Sequence, residues 1–567
     1  MNFDALTERL SRQHPALEAG AAFAISLAFL FALAPGAPFT KELGVCECGA
    51  VRDTLAGNLI LPHYTPGIFV QVPPLFWWLA ALAVRVGGWN EFALRAPSIF
   101  AAAITAALLY AWLAASMSRR AAMWSVPILL STQYVADAAR QPRMDALLMM
   151  FLTAAMVSLE RAIAAQRRCT VLLAFAALAM AGSILTKGPL GVILPGLVLA
   201  IFLAAQHRTR ELFNPRIIAT FAIAVVIGAI WYLAALQIGG RGFFEFQIVH
   251  GLFARFLGAA AGTIGQCQNP FYYYFPRLVS GFLPWSLFYP ALAVVLWKYR
   301  SETPAPMLFA TCWFAAVLGF FTMSAGKCLV YILPLFPALA ALTAWLIVEV
   351  RTRPRESDPA RNLFDWASIT IGLAILLVIV SLIAMRWSGA GTALGAHLRG
   401  PDKRTLQILM SAIAHVAPAA ILWLSLSLLG AVLAINSFAR SGVTAESAGV
   451  ALIAIAGTLF WYGFLNPAVA DEVTLKPYAQ VVDQAVPAGD PIDYIGMFDC
   501  DLAFYSDHEI RFSNKFQCAP QSRDEYFLVW QDRLAAMTPE QRACLSPIRQ
   551  SAPVDRHGIR VLMVEKK

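Results

Sequence analysis

The chain has 567 residues, 59% of them hydrophobic and only 14% charged. A soluble protein of this length carries about 25% charged residues, so an ordinary soluble fold is excluded. The formal net charge of +9 sits largely in short loops between apolar runs, where it sets membrane topology. No basic patch interleaved with aromatics points to nucleic acid. Lipid offers no hydrogen bonds, so spans must be helices or a closed barrel. Apolar runs near ~20 residues without period-two alternation indicate helices.

In chain order, the residues up to about Glu18 are polar and fit a short surface helix. The first span begins at residues 21–33, and no clear cleavage site follows, which predicts an anchor. Residues 45–79 are too polar and too broken by Gly and Pro to cross a bilayer. They carry Glu47, Asp53, Arg52, His63, Cys46 and Cys48, then Pro73-Pro74 and Trp77-Trp78. Connections in helix bundles run only ~2–8 residues, so this stretch reads as a functional loop laid along the membrane surface. Residues 74–86 predict a surface-lying helix with Trp77 and Trp78 at headgroup level.

Further spans are predicted at 96–117, 121–138, 145–163, 170–186, 189–206, 216–237, 278–297, 306–323, 329–349, 365–386, 408–435 and 447–465. With the first, that makes about thirteen. Arg119-Arg120, Arg167-Arg168, Arg208 with Arg210, Lys298 with Arg300, and Arg351, Arg353 and Arg355 fall in alternate loops, which predicts that those loops are cytoplasmic. The 45–79 stretch, the 238–277 loop and the turns at 139–145, 187 and 324–328 then face outward. Residues 466–567 are polar, mixed in charge, and contain short β-like runs. The chain thus divides into a membrane domain at 1–465, with outer-face loops 38–95 and 238–277, and a small soluble α/β domain at 466–567. The odd span count places the latter outside.

Cys500, Cys518 and Cys544 lie in the tail, and Cys46, Cys48, Cys267 and Cys328 lie in or beside outer loops. An outer compartment permits disulfides. Cys500 with Cys518 is the expected tail pair, with Cys544 as competing partner. The C-x-C at 46–48 has no C-x-x-C partner at zinc spacing.

Ionisable residues near the outer helix ends are Glu47, Arg52, Asp53, Arg140, Arg143, Asp145, Lys187, Glu245, His250, Arg255, Arg277 and Lys327. Charges at membrane depth are expensive and face a polar cavity or each other. The competing reading is snorkelling and topology anchoring. That reading is weakest for Asp145, an acid opening a long apolar helix, although the helix N-terminus also favours a negative charge there. Converging on one face, the bases could hold phosphates and the carboxylates could act as bases.

Seven stretches in order carry a resemblance: LILPHYTPGIFVQVPPLFWWL (59–79), NEFALRAPS (90–98), RMDALLMMFLT (143–153), LTKGPLGVILPG (185–196), FFEFQIVHGLFARFLG (243–258), FYYYFPRLVSGFLPWSL (271–287) and SAGKCLVYILPLFPAL (324–339). The sequence resembles the integral-membrane glycosyltransferases that use polyprenyl-phosphate sugars, closest to the lipid A aminoarabinose transferases and related to the protein O-mannosyltransferases. The resemblance implies a polytopic helical glycosyltransferase of GT-C type in the bacterial inner membrane, with site and tail domain on the periplasmic side. It implies that Asp145 occupies an acidic catalytic position, that Lys187, Arg255, Lys327 and Tyr331 sit near lipid phosphate, and that His250 matches a loop histidine.

One departure matters. Where that family opens its first loop with an Asp-Glu pair, this chain reads Cys46-Glu47, and the Glu-Lys before the double proline reads Gln71-Val72. Either Glu47 serves as base from one residue along, or donor and acceptor differ, or this is a catalytically weakened member. The expected reaction is an inverting transfer. The sugar moves from a polyprenyl-phosphate donor to a lipid A, lipopolysaccharide or other glycan acceptor. Lys187, Arg255 and Lys327 meet the leaving phosphate, and Glu47 or Asp145 acts as base. A protein acceptor is the alternative. A divalent cation is compatible with the site but not demanded, since cationic side chains neutralise phosphate. A transporter would predict inverted repeats and interrupted helices near the midplane, and no convincing repeat is found. A non-catalytic membrane scaffold is the other rival.

Overall fold

The computed structural model describes residues 15–40, 45, 47–65, 68–69, 72–165, 169–245, 269–354, 357–388, 401–439, 443–495, 500–513, 526–551 and 561–566. Cys46, Gln71, His250, Arg255, Cys267 and Cys518 lie outside the described residues. Among the described residues, ten helices are long and apolar enough to cross a membrane. Three more predicted spans take other forms. Residues 271–298 form a pair bent by 106°. The helix Leu190–Ala205 has only 16 residues. Residues 121–138 are not one helix but two, Arg119–Leu130 and Gln133–Arg140. The break falls at Ser131 and Thr132, where Thr132 turns to an extended conformation with ψ of 120°. The 408–435 stretch likewise divides into Pro401–His415 and Ala417–Ala439.

The elements around the site are α1 (Pro15–Ala32), α2 (Glu47–Leu55), β1 (His63–Thr65), β2 (Ile68–Phe69), α3 (Leu75–Gly87), α4 (Glu91–Ser116), α5 (Arg119–Leu130), α6 (Gln133–Arg140), α7 (Met144–Ala164) and α8 (Cys169–Lys187). Helix α4 starts where the Asn90 side chain accepts the Ala93 amide at 2.8 Å, satisfying one orphan donor of the first turn. α7 and α8 pack as a hairpin, so the start of α7 and the end of α8 lie at the same level.

A buried cluster separate from the main bundle core lies under the first loop. It joins Cys48 and Val51 of α2, Phe76, Trp77 and Ala80 of α3, Leu94 of α4, and Met144 and Leu147 of α7 with Cys500 and Phe504 of the C-terminal region. Trp77 is 0% exposed. It is therefore no headgroup anchor. It lies on the inward stripe of α3 with Phe76, Ala80, Ala81 and Val84, and burying that stripe outweighs interfacial placement.

Towards the C-terminus, strands β3 (Ile492–Ile495), β4 (Ile510–Ser513), β5 (Tyr526–Trp530), β6 (Leu545–Gln550) and β7 (Val561–Lys566) form one sheet in the order β4-β3-β5-β7-β6. β3 runs parallel to β4 and β5, and β7 antiparallel to β5 and β6. A six-residue helix, α9 (Cys500–Tyr505), links β3 towards β4. Cys328, Cys500 and Cys544 are disulfide-bonded, whereas Cys48 and Cys312 are free and buried. The expected Cys500–Cys518 pairing involves a residue outside the described set.

Candidate active site

Asp145 is the second residue of α7 and only 2% exposed. Arg143 precedes that helix in an extended conformation, which turns its guanidinium back onto the first turn. Its Nε lies 3.1 Å from Asp145 Oδ2. Lys187, the last residue of α8, donates from Nζ to Asp145 Oδ1. The Tyr331 ring covers the same ammonium, with its centroid 5.2 Å from Nζ. One carboxylate thus serves two cations, and this trio carries a formal charge of +1.

The second carboxylate arrives from the loop. Glu47 opens α2, and its Oε2 accepts the indole N–H of Trp77 at 2.7 Å. Burial raises its carboxyl to about 7, against the Trp77 bond and the Arg143 charge, which pull it down; Asp145 adds a further upward push. A buried acid between a hydrogen-bond donor and a like charge titrates in this way. Tyr64 on β1 also bonds Glu47 and stands edge-on to Trp77 at 6.1 Å. α2 lies close on β1, for a Cβ built at Gly49 would stand 1.9 Å from the Tyr64 carbonyl oxygen. Only glycine permits that approach.

A narrow crevice beside Asp145 is lined by Arg143 with Tyr134, Asp137, Gln141, Leu329 and Val330. Gln141 Nε2 donates to Asp137 at 2.8 Å. The sequence reading does not single out Tyr134, Asp137, Tyr64 or a site role for Trp77. A signal for the first two exists: Tyr134, Asp137, Ala138 and Gln141 follow the i, i+3, i+4, i+7 spacing of one helix face.

The structure therefore joins Glu47, Asp145, Lys187 and Tyr331, with Arg143 between them. Lys327 is buried, and its Nζ donates to the Ser324 carbonyl at 2.6 Å. His63 and Asp53 pair at 2.9 Å and, with the His63 amide on the same carboxylate, pin β1 to α2. Arg140 donates to Asn466 and lies over the Tyr462 ring. Among the described residues, no group of three or more His, Cys, Asp or Glu side chains could hold a metal ion.

This is the architecture of a polytopic helical membrane protein, with carboxylates and cations gathered under the first loop. The fold matches the crystal structure of ArnT from Cupriavidus metallidurans bound to undecaprenyl phosphate, with a TM-score of 0.76 over 97% of this chain and 98% of that one at 18% identity. The dolichyl-phosphate-mannose-protein mannosyltransferase family matches residues 71–232. The undecaprenyl phosphate-alpha-4-amino-4-deoxy-L-arabinose arabinosyl transferase of Pectobacterium carotovorum (strain PC1) is 30% identical over 336 residues, 58% of either chain. That of Pseudomonas aeruginosa (strain LESB58) is 28% identical, covering 60% of this chain and 64% of its own. The matched stretch spans less than two thirds of these relatives' length. The resemblance read from the motifs to polyprenyl-phosphate-sugar glycosyltransferases holds, in sequence over part of the chain and in fold over nearly all of it.

Proposed function

We propose that this chain transfers a sugar from a polyprenyl-phosphate donor to an envelope acceptor, lipid A or another glycan, at the outer face of a bacterial inner membrane. The observation that carries the reading is the meeting of Glu47, raised to about 7, with a cluster of formal charge +1 made by Arg143, Lys187 and Asp145. A base poised near neutrality beside a cationic pocket suits glycosyl transfer from a phosphate.

In this reading Glu47 takes the proton of the acceptor hydroxyl. The acceptor oxygen bonds the anomeric carbon, and the bond from that carbon to the phosphate oxygen breaks on the opposite side, with inversion. The electron pair leaves with the polyprenyl phosphate, whose charge Lys187 and Arg143 meet. Asp145 already accepts from Lys187 and forms an ion pair with Arg143, so it orients them rather than taking the proton. His250, Arg255 and Lys327 are retained as donor-binding residues on the resemblance alone. Residues 466–567 form a periplasmic unit, and the basic alternate loops support that orientation. The relatives named for undecaprenyl phosphate-linked aminoarabinose supply a precedent for the donor.

The test is transfer by purified protein from polyprenyl-phosphate sugars to extracted envelope lipids and glycans, read by mass spectrometry. A sugar-sized mass gain that needs both donor and protein supports the reading. Donor left intact with every envelope fraction opposes it.

A further inference from the structure

The loop helix that carries Glu47 is clamped from its other side by the C-terminal unit. Arg52 lies five residues after Glu47 on α2, on a different face of the helix. Its guanidinium donates to the carbonyls of Phe504 at 3.3 Å and Ser506 at 2.9 Å. These oxygens sit at the C-terminal end of α9 and just beyond it, where helix carbonyls lack intrahelical partners and a cation is favoured. Trp89 Nε1 donates to the same Phe504 oxygen at 3.0 Å, and the Arg52 guanidinium lies 4.8 Å from the Trp89 ring. The Phe504 ring stacks on Trp89 at 5.2 Å and stands edge-on to Phe39 at 4.9 Å. Tyr505 closes the contact. Its hydroxyl accepts the Phe39 amide at 2.7 Å and donates to Glu91 at 3.0 Å, while Lys476 holds Glu91 at 2.7 Å.

α2 has nine residues, and isolated helices below ~12–15 residues are marginal. Its position is therefore set by what it touches. On one side are Trp77, Tyr64 and the Arg143–Asp145 pair; on the other is the end of α9. We propose that Arg52 is a positioning residue: by capping the C-terminal end of α9 it fixes α2 against the C-terminal unit and so holds the Glu47 carboxyl on Trp77. This rests on the reading of Glu47 as the base. It gives the C-terminal unit a part in the reaction without any contact with substrate.

The groups facing Glu47 are Arg143 just before α7, Asp145 from α7, Trp77 from α3 and Tyr64 from β1; Arg52 and Asp501 flank the neighbouring Cys48 thiol. Loosening α2 lets water reach Glu47, which moves the carboxyl back towards its ordinary value. The experiment uses full-length protein and compares wild type with Arg52→Ala, Arg52→Lys, Trp89→Phe and Glu47→Gln. It records kcat, KM for the polyprenyl-phosphate sugar, and the acid limb of the pH–rate profile. Arg52→Ala is expected to lower kcat about tenfold or more, to leave KM for the donor within about twofold, and to move the acid limb down by about one pH unit. Arg52→Lys recovers part of both. Trp89→Phe moves both less, in the same direction, and carries the test if Arg52→Ala does not fold. A purely structural role lowers yield without moving the limb. Wild-type kcat and limb in the Arg52 and Trp89 variants, with Glu47→Gln inactive, overturn the proposal alone. An active Glu47→Gln overturns the reading of Glu47 itself, and with it the object that Arg52 would position.

Discussion

Trp77 and Glu47 meet at 2.7 Å, indole nitrogen to carboxylate oxygen, although thirty positions separate them in the chain. The bond joins the surface helix to the loop helix and stabilises the charged form of a carboxyl that burial would otherwise keep protonated. Trp77→Phe keeps the ring volume approximately and removes the donor. Glu47 should then titrate above its present value of about 7, because the indole is a group that lowers it. The acid limb of the transfer rate should move to higher pH, with a rate loss at pH 7 of several-fold. This is the opposite direction to that expected for Arg52→Ala, so the pair separates loss of a donor from entry of water.

Glu47 should cost the fold stability. An acid whose folded pKa is raised binds its proton more tightly when folded. Its favourable contribution is complete below the unfolded value of 4.5 and is lost as pH rises towards about 7. That window of about 2.5 units corresponds to roughly 3 kcal/mol. Glu47→Gln, which does not titrate, should lose transfer yet equal or exceed the wild-type Tm at pH 8. Its Tm should vary less between pH 5 and pH 8 in thermal unfolding of the detergent-solubilised protein. A Glu47→Gln protein less stable than wild type at pH 8 would argue that the carboxylate, not the acid, is the favoured buried form.

Asp145→Asn should do more than slow the reaction. It leaves the half-buried Lys187 and Arg143 without their shared counter-ion; removing one partner of a fully buried pair costs about 3–5 kcal/mol, and less is expected here because both cations keep some contact with solvent. Pairing it with Lys187→Met should restore much of the yield by removing one uncompensated charge, but not transfer. Size-exclusion profiles report the first effect and product formation the second. Full yield and turnover from Asp145→Asn alone would mean that its charge matters to neither.

Orientation has its own test. A reporter active only in the cytoplasm, fused after Lys567, should be silent if the alternating basic loops set the proposed orientation, with the C-terminal unit outside. A strong signal would put the Glu47–Asp145 site on the wrong side for an envelope acceptor.

The long spans were legible because apolar runs of this length have few alternatives in lipid. Residues 144–164 and 305–323 form helices within two residues of the predicted 145–163 and 306–323. Residues 121–138 were less so, since the break is a single residue, Thr132, turned to an extended conformation, which composition does not reveal. Of the site, Asp145 and Lys187 could be read as charges at helix ends on one face. Their direct contact depends on the α7–α8 hairpin. Trp77 could not be read: adjacent tryptophans next to a double proline fit an interfacial belt as well as a buried donor. The difference is the inward stripe of α3, which only the position of α2 makes a core. Arg52 was visible as a charge, but its partners are backbone oxygens some 450 residues away, which no side-chain pattern announces.

The most direct measurement is the pH–rate profile of sugar transfer from a polyprenyl-phosphate donor by the purified wild-type protein, set beside that of Glu47→Gln. The wild-type rate should rise with pH through a midpoint near 7, where Glu47 loses its proton, and then level off. Glu47→Gln should be slower by ~10²–10⁴ and lack that rise. A Glu47→Gln enzyme with near-normal turnover and the same limb would contradict Glu47 as the base.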